Sequence, residues 1–232
     1  MHGVAAVSAI GYCRQPQRVE LRLLPVLTIA AALCAHAATE SPPAAIDYAG
    51  HQLPQEPGLY ERWDPTRSWG TSVLVETLAQ VAHDLALIMP EAEPLLIGDV
   101  SVRGGGPMPG HFTHRTGNDV DIGLFFHSGH QPHGGFVDVA ADELDVPATW
   151  TLISTLMATD RVQFILLDDE LIGLLRDYGI HELHLPREVV ERTYPPIDAR
   201  IPWSERNVVR DAENHRSHMH VRITMPEVEL GT

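Results

Sequence analysis

The chain has no lysine at all and only two cysteines, Cys13 and Cys34, in 232 residues. Both cysteines sit near the N-terminus, so the body of the protein has neither a disulfide framework nor a thiolate metal site. Basic charge is scarce: 16 arginines face 31 acidic residues, a formal net charge of −15. A surface this acidic does not bind nucleic acid by neutralising its backbone. Long apolar runs are missing too. The run from Leu23 to Ala35 has 13 residues, short of the ~20 a membrane-spanning helix needs. No internal repeat or low-complexity tract is present. With 44% hydrophobic residues, the length suits one domain with a real core rather than two.

The first forty residues differ from the rest. Arg14, Arg18 and Arg22 precede the apolar run, and Ala35-His36-Ala37 follows it. A basic region, an apolar region and a small-x-small site make up a secretory signal peptide over residues 1–37. Leu33 stands where a lipoprotein signal needs a small residue, which argues against a lipid anchor on Cys34. Cleavage after Ala37 removes both cysteines and leaves 13 of the arginines against 30 of the acids. The expected product is exported, periplasmic or extracellular, with no stable membrane insertion; its oligomeric state is open. Residues 38–59, rich in Pro, Ala and Gly, read as a linker or extended arm. Residues 60–232 read as the globular domain.

Within that domain the periodicity predicts a helix over 69–89, closed by Pro90. Strands are expected over 95–102, 119–126, 162–167 and 219–225, and helices over 147–159, 169–178 (stopped by Gly179) and 186–192. Helices and strands alternate without a regular βαβ repeat. The expected class is α+β, with helices packed on a small, mostly antiparallel sheet. Trp63, Trp69, Trp150 and Trp203 read as core or cleft wall.

Two histidine-rich segments about a hundred residues apart carry the chemistry. The first is His111-Phe112-Thr113-His114-Arg115-Thr116-Gly117-Asn118-Asp119-Val120-Asp121; the second is His215-Arg216-Ser217-His218-Met219-His220-Val221-Arg222. Residues two apart on a strand share a face, so His218, His220 and Arg222 project together while Met219 and Val221 face the core. Two imidazoles on one face can share a metal or divide the labour between ligand and proton carrier. His215 lies close enough to line the same pocket. In the first segment Gly117 allows a turn that brings His114 and Asp121 to one point. Asp121 runs straight into apolar Ile122, Leu124 and Phe125, and a carboxylate there is costly unless paired or bound to a metal. Asp119 fits a supporting partner of a histidine. Without cysteine, histidine and aspartate are the ligands zinc takes. His127, His130 and His133 lie in a glycine-rich loop and read as a solvated rim rather than a second metal site. His181 and His184 read as structural or exposed.

The stretch GGGPMPGHFTHRTGNDVDIG followed by HRSHMHVRI resembles the penicillin-insensitive murein endopeptidases. These belong to a zinc peptidase superfamily that includes D-Ala-D-Ala carboxypeptidases, dipeptidases and hedgehog domains. Arg67-Ser68-Trp69-Gly70 and Leu96-Ile97-Gly98-Asp99 fit the same pattern. The resemblance implies a hedgehog/D,D-peptidase-like fold. It implies one zinc ion held by His114, Asp121 and His220, with His218 as the active-site histidine and His111 and His215 as supporting cleft residues. The implied activity is hydrolysis of D-Ala-containing peptide cross-links of peptidoglycan by a zinc-activated water. A D,D-carboxypeptidase or dipeptidase, and a non-catalytic zinc-containing binding domain, are the alternatives. The substrate's carboxylates need a positive partner, and Arg103, Arg115 and Arg222 flank the motif residues.

Overall fold

The computed structural model describes residues 48–127, 135–196 and 208–224. The signal-peptide region, residues 38–47, His130, His133, Trp203 and the C-terminal tail lie outside them. The chain falls into two units, Met1–Pro42 and Pro43–Thr232, and every described residue belongs to the second.

The elements run β1 His51–Gln52, β2 Tyr60–Arg62, β3 Trp69–Gly70, α1 Ser72–Ile88, β4 Leu95–Ile97, β5 Asp119–Gly123, α2 Val146–Ala158, β6 Val162–Leu167, α3 Asp169–Asp177, α4 Arg187–Thr193, β7 Val209–Asp211 and β8 His218–Ile223. Their starts follow from local chemistry. The Thr71 hydroxyl accepts from Leu74 N at the head of α1, and the Asp145 carboxylate accepts from Ala148 N at the head of α2. Each side chain satisfies a donor that the first helical turn leaves free. The buried residues of α1 include Leu74, Leu78, Val81 and Leu85, the three-and-four spacing of a helix with one face in the core.

The fold is α+β. Six strands form one sheet in the order β2-β4-β5-β8-β6-β7, and β1 pairs with β3 in a separate two-stranded sheet. The three central pairings of the larger sheet are antiparallel. Its two edge strands, β2 and β7, pair in parallel. One face of the central strands, with Val120, Ile122, Met219 and Val221, joins the helices' apolar residues in the core. By the two-residue alternation of strands, the opposite face belongs to the polar residues.

Three sequence expectations change. The arm does not stay outside the domain: Ala49 and Leu53 are buried, and β1 lies within it. Strand β4 ends at Ile97: Gly98 and Asp99 still bond Asp121 of β5, and Val100 and Ser101 turn to Arg67 O. Gly179 does not stop the helix that starts at Asp169. The helix continues as a wider π-turn over Tyr178–Glu182, and Gly179 lies against Trp150, where a Cβ would come within 2.6 Å of the indole. The glycine is there for close packing rather than for its backbone freedom.

Gly117 needs both. Its φ is +77°, and a Cβ would sit 2.9 Å from Ala49 Cα and from Gly70 Cα. Its carbonyl also accepts from Thr71 N at 2.9 Å. Three segments therefore meet on this residue, between His114 and Asp121. Gly117→Ala is expected to cost about 3 kcal/mol and roughly 10 °C in Tm. Gly104 also has positive φ, +78°, but a Cβ there meets nothing within 4 Å, so Gly104→Ala is expected to cost only about 1 kcal/mol. Denaturant melts of the two variants check the difference.

Candidate metal centre

Register assembles the site. Strands β5 and β8 pair with Asp119 opposite Arg222, Asp121 opposite His220 and Gly123 opposite His218. The polar face that each strand presents by alternation thus meets its counterpart across the ladder. His114 arrives from the loop before β5, where Ser101 Oγ donates to its carbonyl at 2.9 Å.

The hydrogen bonds at the back of each imidazole decide what it shows at the front. His114 Nδ1 lies 2.9 Å from Val100 O. A carbonyl can only accept, so Nδ1 carries the hydrogen and Nε2 turns its lone pair toward Asp121. His220 Nε2 lies 3.0 Å from Asp119 Oδ1. Asp119 is fully buried and gripped by Arg222 through Nε at 2.7 Å and Nη2 at 2.9 Å. An ionised carboxylate also only accepts, so Nε2 of His220 carries hydrogen and Nδ1 faces inward.

Three lone-pair donors therefore converge. His114 Nε2 and His220 Nδ1 are 3.1 Å apart, and Asp121 Oδ1 lies 3.2 Å from the first and 3.0 Å from the second. Acceptors this close repel one another unless a positive charge sits among them. Donors on a tetrahedral zinc, each about 2.0–2.1 Å from the ion, lie about 3.3 Å from each other. The donor set fits a zinc ion in chemistry and in spacing. All three residues are buried.

His218 and His111 stand at the more open side, with side chains 18% and 24% exposed. His218 Nε2 is 3.7 Å from Asp121 Oδ1, and His111 Nδ1 is 3.7 Å from Asp121 Oδ2. His111, His114 and Asp121 also form a group whose donor atoms lie within 4.8 Å of one another, so His111 borders the same point. His215 lines the wall, its ring centre 5.2 Å from that of His218, while its Nδ1 is bonded to Glu213 O at 2.8 Å.

The electrostatics follow this geometry. Burial alone would raise the Asp121 pKa, but contact with His114 and His220 outweighs it and holds the carboxyl well below its usual range. Burial alone would lower His220, but hydrogen bonds to Asp119 and Asp121 lift it to about 9. In the metal-free protein a proton thus takes the cation's place. The His220 value is raised above the 6.5 of the free side chain. Its contribution to the metal-free fold is therefore complete below about pH 6.5 and is lost as the pH rises through about 9. A metal competes with that proton for the same lone pair. Zinc binding is expected to release up to about one proton more at pH 7.5 than above about pH 10, in addition to any proton lost by water on the ion. Titration calorimetry in buffers of different ionisation enthalpy measures this. His218 goes the other way: burial pushes it down to about 4, which leaves it neutral at pH 7.

Not every candidate residue joins the cluster. The guanidinium of Arg222 is taken up by Asp119, so it holds the ligand set from behind instead of offering a free charge to a substrate. Arg103 lies with Cζ 5.1 Å over the Trp69 ring, and Arg115 is exposed; among the described residues neither touches the histidines. His127, His181 and His184 are exposed. Two residues that the sequence did not mark belong to the site. Asp99 Oδ2 bridges His111 Nε2 at 2.8 Å and Arg67 Nη1 at 3.1 Å. Their signal was the Arg67-Ser68-Trp69-Gly70 and Leu96-Ile97-Gly98-Asp99 stretches, which fit the family pattern without a role for either residue.

No curated protein matches the chain. The sequence pattern of the penicillin-insensitive murein endopeptidase family matches residues 47–155. That stretch holds His111, His114, Asp119 and Asp121, and it ends before the strand that brings His218 and His220. Over these residues, a little under half of the chain, the similarity is to the penicillin-insensitive murein endopeptidases.

Proposed function

We propose that the protein is an exported zinc endopeptidase that hydrolyses D-Ala-containing peptide cross-links of peptidoglycan. The observation that carries this reading is the convergence of His114 Nε2, Asp121 Oδ1 and His220 Nδ1 within 3.2 Å of one another, each imidazole fixed by an acceptor behind it. His114, Asp121 and His220 would hold the ion. A bound zinc supplies Lewis-acid activation of water and of the scissile carbonyl. Two neutral imidazoles and one carboxylate leave a site charge near +1, which favours an oxyanion. Neutral His218 takes a proton from the attacking water on Nε2 and returns it to the leaving amine. Its Nδ1 is paired with Ser217 Oγ at 3.0 Å, which keeps Nε2 on the open side. His111, tied to Asp99, borders the space the substrate enters. Arg103 and Arg115 are the candidates for a substrate carboxylate, an ion pair that a strongly acidic protein can offer at few places.

The test is incubation of the purified protein with cross-linked muropeptide dimers, with zinc and after chelation, followed by mass spectrometry. Zinc-dependent conversion of dimers to monomers is expected. Release of free D-Ala from uncross-linked pentapeptide would move the assignment to a carboxypeptidase. Bound zinc without turnover on any peptide would overturn catalysis in favour of a binding domain.

A further inference from the structure

The imidazole of His218 is held by more than its own strand. The Phe136 ring stacks on it, with ring centres 4.8 Å apart and planes 14° apart. Phe136 comes from a distant part of the chain, at the exit of the glycine-rich loop, and is wedged from two other sides. A Cβ on Gly98 would come within 2.4 Å of Phe136 Cζ, so the ring occupies space that only a glycine leaves. The Trp63 indole meets the ring edge-on at 5.3 Å and 75°. Gly135, the preceding residue, abuts the same indole, where a Cβ would lie 2.8 Å from Trp63 Cζ2. Trp63 is itself anchored, since its backbone N–H donates to Ile97 O at 2.8 Å.

We infer that Phe136 is a positioning residue for His218, clamped between Gly98 and Trp63 so that its ring fixes the imidazole plane with Nε2 over the open side of the metal centre. The inference rests on the endopeptidase reading for what His218 does, but not for how it is held. Histidine has a broad, roughly two-fold χ2 preference. The Ser217 hydroxyl, bonded to Nδ1 at 3.0 Å, selects between the two flipped orientations, which share one plane, but leaves the tilt of that plane loose. The stacked ring supplies the face-on constraint that the hydroxyl lacks. Aromatic stacking of this kind favours the aligned plane over tilted ones roughly three- to tenfold.

The experiment uses the full chain with zinc bound and compares wild type with Phe136→Leu, Phe136→Tyr and Gly98→Ala. Steady-state cleavage of muropeptide dimers gives kcat and KM, and chelator competition gives zinc affinity. The carbon-bound ring protons of labelled His218 are followed by NMR. Phe136→Leu is expected to lower kcat roughly tenfold, with KM and zinc affinity within about twofold of wild type. The upfield ring-current shift of the His218 protons is lost in the same variant. Phe136→Tyr keeps the stack and restores both readouts. Gly98→Ala displaces the ring and reproduces the Phe136→Leu pattern. Unchanged His218 shifts in folded Phe136→Leu would overturn the inference, as would a change confined to KM. If wild type cleaves no peptide, the functional reading fails while the NMR arm still decides whether Phe136 holds His218.

Discussion

Asp121→Asn is expected to abolish hydrolysis of cross-linked muropeptides, by more than about 10³-fold in kcat/KM, and to lower zinc affinity by more than the ~10–100-fold seen when only an outer partner of a ligand is lost. Asp121 is the one negatively charged donor of the converging three, and its Oδ1 lies within 3.2 Å of both inward-facing nitrogens. An asparagine of the same shape presents a neutral oxygen, or an NH₂ group that meets the nitrogens with hydrogens. The proton on His220 also loses a carboxylate that supports it, so its pKa in the metal-free variant falls below about 9. Two further variants decide which histidines complete the set. His220→Ala is expected to match Asp121→Asn in lost zinc affinity. His111→Ala is expected to lose at most about tenfold in affinity, because its Nε2 is bound to Asp99 and its Nδ1 stays 3.7 Å from Asp121. The reverse ranking would assign the ion to His111, His114 and Asp121. Chelator competition with each purified variant supplies the ranking.

The second large effect belongs to a residue that touches no metal. Asp119→Asn is expected to weaken zinc binding by about 10–100-fold and to destabilise the protein by about 3 kcal/mol. Asp119 is fully buried and serves as acceptor to His220 and, through both its oxygens, to Arg222. An asparagine can keep a carbonyl where Oδ1 accepts from His220 and from Arg222 Nε, but its NH₂ then meets Arg222 Nη2 with hydrogens, and the carboxylate charge is gone. His220 is left with a weaker, neutral acceptor behind it, and a half-buried guanidinium loses its counter-charge. The two consequences separate in a double variant. Adding Arg222→Met to Asp119→Asn is expected to recover most of the stability and little of the zinc affinity, because only the unpaired charge has been removed. Zinc affinity that stays at the wild-type value in Asp119→Asn would show that His220 needs no charged partner behind it. Denaturant melts and chelator titrations read the two quantities independently.

Much of this was legible along the chain, for reasons that differ between residues. The polar faces of β5 and β8 could be read because side-chain direction on a strand is a local property with a period of two. Asp119 and Asp121 share a face for that reason, as do His218, His220 and Arg222. The helices α1 and α2 were legible from apolar spacing; the capping roles of Thr71 and Asp145 emerged only from the structure. The short edge strands β2 and β7 were not, because two or three residues carry no period and owe their form to the neighbouring strand. Gly179 was misread, since a glycine that stops a helix and one that admits an indole look alike until Trp150 is in place. Arg67 and Asp99 were legible as part of a pattern but not as site residues; their roles come from a bridge to His111 that joins three loops. Phe136 carried no local signal, because its partners Gly98, Trp63 and His218 come from three separate stretches.

Sequence alone determined which residue types were on offer: no thiolates, two histidine-rich segments and a carboxylate running into an apolar strand. It also determined, through strand alternation, which of them share a face. Only the tertiary structure decided which nitrogen of each histidine looks inward. That choice depends on register, with Asp121 opposite His220 and Asp119 opposite Arg222, and on Val100 O lying behind His114. Pairing register and the acceptor behind a ring are non-local, set by chain segments up to about a hundred residues apart. They turn a set of histidines and aspartates into three lone pairs aimed at one point.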